Sequence, residues 1–359
     1  MVGFDSAAEP TDGASPGGEP PALAVWRRIC FELDALDGLA LTAALARIER
    51  RVAGWPDRLR PAPGRWLRDL LDGRAQPRLA AARAVDLTLH ATSVGGDRLA
   101  WTDSPLLVGV TQLRVFDDEL GDAGVERLTR DSTHYPRLVD LALAAGISGA
   151  GARRLAGDPR LAGLTSLALF RNAIGPDGLA ALIGGPGLGP GLRRLLLGRN
   201  ALGGAGAEAL ARPTAIAGLE LLDLDCDRLD GPAVRMLTRA PLLTGVRALN
   251  LSNNPIGGEG CRALADCPAL AGLEVLFLHD CGLDDDAVAP LLRAPQLGRL
   301  RNLALSENRL SLATVRELAA QPRLQLHELD ICHNPFAAAP AEALLRAAPQ
   351  LGGLTRLCL

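Results

Sequence analysis

The sequence predicts an α/β fold: a curved solenoid with a parallel sheet on its concave wall and helices on its convex wall, preceded by a small helical N-terminal cap. Three observations predict it. A pattern of leucines returns at intervals of 26 to 28 residues from residue 84 onward. Inside each interval, strand-like alternation gives way to helical spacing. Hydrophobic residues make up 48% of the 359 residues but aromatics only 3%, so the core of the repeats is one of Leu, Ala and Val.

Residues 1–22 come first. This stretch (GASPGGEPP at 13–21) is rich in Gly, Pro, Ser and acids. It cannot bury enough apolar surface to offset the entropy of ordering it, and a disordered tail is expected. It carries neither the basic nor the apolar region of a secretory signal. Residues 23–83 form the expected cap. Ile29, Leu33 and Leu36, then Leu41, Leu45, Ile48 and Val52, fall at helical spacing, and Gly38 divides them into two helices. Pro56, Pro61 and Pro63 mark a turn, and Trp66 to Leu71 a third helix. Trp26, Trp55 and Trp66 lie in this region and Trp101 shortly after it.

The repeats occupy 84–359. Their template is L-x-x-L-x-L-x-x-N-x-L/I, then Gly or Ala, then Leu four residues on. The clearest copy fills it with Val246, Leu249, Leu251, Asn254, Ile256, Gly260 and Leu264. Starts are expected at 84, 110, 138, 164, 192, 219, 246, 273, 300, 326 and 354, about ten repeats and a terminal strand. The L-x-L pair turns both leucines to one side of a strand. At the Asn position a side-chain amide both donates and accepts, which satisfies the backbone of an inward-turning loop. That position reads Thr92, Asp118, Gly146, Asn172, Asn200, Asp227, Asn254, Cys281, Asn308 and Asn334. Small residues at the helix starts (Gly178, Gly206, Ala233, Gly260, Ala287) let each helix lie close to the strands. One strand and one helix bury no core alone, but stacked units do. The glycine-rich run at 184–192 has no following G-K-S/T and reads as a loop.

These units resemble the ribonuclease-inhibitor-like class of leucine-rich repeats. They also resemble leucine-rich-repeat proteins of some bacteria, in which such repeats follow a short helical region. The resemblance spans 84–359 and implies the strand and helix walls described above. Its functional implication is broad, since members inhibit enzymes, activate small GTPases or sense ligands within larger receptors.

Bulk properties narrow the partners. The formal net charge is -3, with no lysine among the basic residues; this is no footprint for nucleic acid or an anionic membrane. No run of 18 apolar residues appears. Seven cysteines, an odd number without a C-x-x-C, point to reduced thiols in a cytoplasm.

Candidate contact residues are the solvent-facing positions of the concave wall. Arg171, Arg193, Arg194 and Arg199 form a basic stripe beside an acidic set of Asp223, Asp225, Asp280, Glu307 and Asp330. Phe116, Phe170 and Phe277 add aromatic contacts of the kind that dominate binding hot spots. The competing readings are a solvated polar surface and ordinary partial burial. His279, Asp280, Glu307, Cys332 and His333, with Cys226 and Cys281 in register, are metal-ligand types without zinc spacing. No metal or cofactor is therefore expected. No catalytic motif is present. The expected function is a non-catalytic scaffold for a protein partner, with no role in binding nucleic acid or membrane. The alternatives are a regulator of a partner enzyme, either a GTPase activator or an enzyme inhibitor acting through Arg171, Arg193 or Arg199, and a structural spacer. In the terminal strand Leu354, Leu357 and Leu359 are expected to face the core, and its open edge to be tolerated or to pair with a second molecule.

Overall fold

The computed structural model of the protein describes residues 22–71, 76–88, 99–116, 120–130 and 135–359. The expected tail up to residue 21, and the Asn positions at Thr92 and Asp118, lie outside the described residues. The chain divides into two compact units. One comprises Met1–Leu87, Thr92–Leu113 and Thr133–Arg137; the other comprises Thr88–Ala91, Arg114–Ser132 and Leu138–Leu359.

The first unit opens with the helices α1 (Leu23–Asp34), α2 (Gly38–Arg51) and α3 (Gly64–Leu71). Here the aliphatic rule of the repeats gives way to aromatic packing: Trp26, Trp66 and Trp101 are each 1% exposed. Two indoles bury their N–H groups on partners, Trp26 on the Pro61 carbonyl at 2.7 Å and Trp66 on Asp34 at 2.7 Å. Arg60 is also buried. Its guanidinium donates to the Ala81 carbonyl at 2.8 Å and to Glu49 at 2.5 Å, and lies 5.7 Å over the Trp26 ring. Arg83 donates to the same carboxylate at 2.6 Å. Burial pushes the Glu49 carboxyl upward, but Arg60 and then Arg83 outweigh it and hold its pKa below the ordinary value.

The strand β1 (Ala84–Thr88) corrects one expectation. Ala82, Val85 and Leu87 are the buried positions, so the first repeat starts at 82 rather than 84. A two-residue slip keeps the same strand face inward, and for that reason the leucine pattern did not distinguish the two registers.

The remaining strands and helices alternate. They run β2 (Gln112–Phe116), α4 (Gly121–Arg130), β3 (Asp140–Ala144), α5 (Gly149–Ala156), β4 (Ser166–Ala168) and α6 (Gly175–Gly184). Next come β5 (Arg194–Leu196), α7 (Gly203–Leu210), β6 (Leu221–Asp223), α8 (Gly231–Leu237), β7 (Ala248–Asn250) and α9 (Gly257–Ala265). The last are β8 (Val275–Phe277), α10 (Asp285–Arg293), β9 (Asn302–Ala304), α11 (Leu312–Ala320), β10 (Glu328–Asp330), α12 (Ala338–Arg346) and β11 (Arg356–Cys358). The sheet order follows the chain order from β1 to β11 without a crossover. From β3 onward each pair is parallel, and one leucine per strand stays in line: Leu141, Leu167, Leu195, Leu222, Leu249, Leu276, Leu303, Leu329 and Leu357. From α4 to α12 each helix packs on the helix of the next repeat. Packed helices need about 8–10 Å and paired strands about 4.8 Å, so this unit bends toward its strand side.

The Asn positions hold the repeats together. Asn254 accepts from the backbone N–H of Asp227 and Leu229 in the preceding repeat, at 3.0 and 2.9 Å. Its amide nitrogen donates to the carbonyls of Leu224, Leu251 and Ser252 at 2.8 to 2.9 Å. Asn172 and Asn308 repeat this arrangement. Cys281 fills the position with a buried thiol, which donates to the Leu251 carbonyl at 3.3 Å. Gly178 is required for helix packing: a Cβ there would lie 2.7 Å from the Gly149 Cα of the neighbouring helix and 2.9 Å from Ile174.

The terminal strand departs from expectation. Leu354, Leu357 and Leu359 are only half-buried, whereas the in-line leucines of β3 to β10 are at most 3% exposed. Among the described residues β11 pairs with β10 alone, so these leucines have repeat packing on one side only.

Candidate functional site

Counted from the first residue of each strand, positions one, three and five point away from the core, position six follows the strand, and position seven is the Asn position. Arg194 stands at position one. Asp223, Phe277 and Asp330 stand at position three, and Phe116, Phe170 and Asp225 at position five. Arg171, Arg199, Asp280 and Glu307 stand at position six. Arg193 precedes its strand. Its guanidinium turns to the loop carbonyls of Pro190, Ala217 and Gly218, at 2.9, 3.1 and 3.2 Å, and is committed to the frame of the repeat.

Among the described residues the expected basic and acidic sets touch through one ion pair, Arg199 with Asp225. Arg194 reaches Asp140 two strands away at 3.3 Å, and Arg199 reaches Asp225 at 3.3 Å. Asp225 also accepts from Asn253 at 2.5 Å. Asp223 accepts from the Asp225 backbone at 2.9 Å and from Asn250 at 3.2 Å, while burial drives its pKa up to about 6. Phe116 and Phe170 meet each other, with ring centroids 5.7 Å apart. Ala144 holds the same position on the strand between them and is buried. Phe277 is half-buried.

Position six forms a row that the leucine pattern does not announce. Arg171, Arg199, Cys226, Asn253, Asp280, Glu307 and His333 all have left-handed backbones, with φ between 47° and 64°. Only Asn253 is less than exposed. In chain order the row begins with two arginines, passes two uncharged side chains and reaches two acids before His333. Each backbone N–H from Arg171 to Glu307 donates to a carbonyl of the next repeat at 2.7 to 3.0 Å. The side chains carry none of that pairing.

A polar chain crosses β8 to β10. Ser306 Oγ donates to Asp330 Oδ2 at 3.0 Å and contacts His279 Nδ1 at 3.0 Å. Asp330 Oδ1 lies 2.9 Å from the Cys332 thiol. Ser306 therefore lies between a carboxylate and an imidazole nitrogen, and the other nitrogen of that ring, His279 Nε2, is 3.7 Å from Glu307. Among the described residues, only Cys332 of the metal-ligand types singled out in the sequence joins a compact group, with Asp330 and Cys358. Cys281 is buried at its Asn position, and Cys226 stands exposed in the position-six row.

The family model described as "Leucine Rich repeat" matches residues 164–182, 192–211 and 245–265. These segments cover β4 with most of α6, β5 with α7, and β7 with α9. These three matches, with the parallel sheet whose strands alternate with helices, fit a leucine-rich-repeat protein. No curated protein matches the chain. In this leucine-rich-repeat frame the core leucines and Asn positions were legible from sequence. The position-six row was missed as a unit, although its signal was available: a residue directly before each Asn position, polar in most repeats. Cys358 was missed because its partners lie one repeat earlier.

Proposed function

We propose that the chain is a non-catalytic protein-binding module whose strand face receives a partner of opposite charge polarity. The partner is acidic where it meets Arg171 and Arg199 and basic where it meets Asp280 and Glu307. The observation that supports this reading is the position-six row, exposed at every position but Asn253 and running from arginines to acids. Leucine-rich repeats generally mediate protein–protein interaction. Complementary charge of this kind acts mainly on partner choice and association rate. Neither nucleic acid nor membrane is part of the proposal, in keeping with the net charge of -3 and with the absence, among the described residues, of a helix long and apolar enough to cross a membrane. A cytoplasmic setting goes with the reading, supported by seven free cysteines.

The test is affinity capture from native lysate with three baits: wild type, Arg171→Glu with Arg199→Glu, and Asp280→Arg with Glu307→Arg. A protein held by wild type, released by raised salt and lost from both variants supports the reading. Equal retention of the wild-type partners by both variants refutes it.

A further inference from the structure

We propose that Asp330, Cys332 and Cys358 form a binding site for a thiophilic divalent cation of the Zn²⁺ class. Two thiolates and one carboxylate would ligate the ion, with water in the fourth position. The expectation of no metal rested on spacing along the chain, but this site is assembled across two strands. Asp330 and Cys358 are register partners on β10 and β11, and Cys332 follows Asp330 by two residues on the same face. Their ligand atoms lie within 4.8 Å of one another.

Tetrahedral geometry with Zn–S of about 2.3 Å and Zn–O of about 2.0 Å needs S···S near 3.8 Å and S···O near 3.5 Å. The present Asp330 Oδ1···Cys332 Sγ separation of 2.9 Å opens to that value by a small side-chain rotation. Two sulfurs exclude Mg²⁺ and Ca²⁺, which take oxygen ligands, and select a softer ion. Asp330 is already oriented: Ser306 donates to its Oδ2 at 3.0 Å, and the Cys332 backbone N–H donates to Oδ1 at 3.2 Å. His279 in turn contacts Ser306. This is the outer-shell support that ligating carboxylates characteristically have.

A disulfide between the two cysteines is the competing use of the pair. Thiol exchange needs a thiolate. The Asp330 carboxylate, 2.9 Å from the Cys332 sulfur, opposes a thiolate there. A divalent cation reverses this effect, because the carboxylate that opposes a thiolate becomes its co-ligand. Binding then displaces one proton from each thiol.

The test is titration of the reduced, metal-free full chain with Cd²⁺, following the ultraviolet thiolate-to-cadmium charge-transfer band and proton release. The site gives a band saturating at one ion per chain, two protons released per ion, and bleaching when Zn²⁺ displaces Cd²⁺. Cys332→Ser and Cys358→Ser each lose the stoichiometric step, while Cys226→Ser, altering an exposed thiol elsewhere, keeps it. Asp330→Asn retains the band but binds at least 10-fold more weakly, and Ser306→Ala weakens binding about 10- to 100-fold, as loss of an outer-shell partner does. A full-strength band in the Cys332→Ser/Cys358→Ser double variant, no band in wild type, or unchanged affinity in Asp330→Asn overturns the proposal.

Discussion

Replacing Asp227 by Asn is the sharpest test of the repeat architecture. Asp227 occupies the Asn position of its repeat and is 0% exposed. Its Oδ1 accepts from the Asn200 backbone at 2.7 Å, but Oδ2 is buried without a partner. In neighbouring repeats an amide nitrogen at this position donates to carbonyls, which an ionised carboxylate cannot do. Burial accordingly pushes the Asp227 pKa from 3.8 up to about 7, against the backbone hydrogen bonds that favour ionisation. A folded pKa raised above the unfolded value means that the native state holds the proton longer. The stabilisation from the neutral acid is complete below 3.8 and is lost as pH rises through 7. At about 1.4 kcal/mol per pH unit, the loss across this window totals about 4 kcal/mol. Asn supplies the missing donor and does not titrate. The stability advantage of Asp227→Asn should therefore grow by about 2 kcal/mol between pH 5 and pH 7 and level off only above about pH 8. Urea unfolding of both proteins at pH 5, 6, 7 and 8 measures it, and the difference between proteins cancels other groups such as Asp223. An advantage independent of pH, or a destabilised variant, would refute the reasoning.

Asn254→Ala removes the partner of two backbone N–H groups and three carbonyls at once; a loss of about 2–5 kcal/mol is expected in urea unfolding. Glu49→Gln removes the counter-charge of the buried Arg60; because the Glu49 side chain is 47% exposed and water screens the pair, the expected cost is about 1 kcal/mol. Tryptophan fluorescence reads this change selectively, because all four tryptophans lie in the first unit. Since the Glu49 pKa is depressed, its contribution is present above 4.5 and is lost as pH falls through the folded value. Gly178→Ala brings a methyl against the Gly149 backbone and should destabilise by about 1–3 kcal/mol, whereas Gly204→Ala, with nothing within 4 Å of the added Cβ, should not lower stability.

Most of the fold was legible because the repeat writes the same physics many times. Period-two leucines, a buried amide and a helix recur at one spacing, so an error in one copy is outvoted by the others. The first repeat shows the limit. With no Asn in it, nothing fixed the register, and the start slipped from 84 to 82 without changing which face was buried. The candidate site was less legible because its contacts are perpendicular to the chain. Asp140 and Arg194 are 54 residues apart in sequence and 3.3 Å apart in space. Residue type placed Arg193 among the surface charges, but its position before the strand turned it to loop carbonyls instead.

The same perpendicular wiring separates what holds the fold from what is left to meet a partner. At position seven the side chain makes the inter-repeat bonds, so its identity is constrained. At position six the backbone N–H makes the bond and the side chain is released by a left-handed turn. A non-glycine residue in that conformation costs about 1–2 kcal/mol, part of which glycine returns as greater unfolded-state entropy. Glu307→Gly should thus leave stability unchanged or raise it by up to about 1 kcal/mol, although it removes an exposed charge of the proposed binding face. Unfolding midpoints of Glu307→Gly and Asn308→Gly, adjacent in sequence, measure the two roles side by side. A loss for Glu307→Gly as large as that for Asn308→Gly would mean that the position-six side chains belong to the frame and are not free to be chosen for a partner.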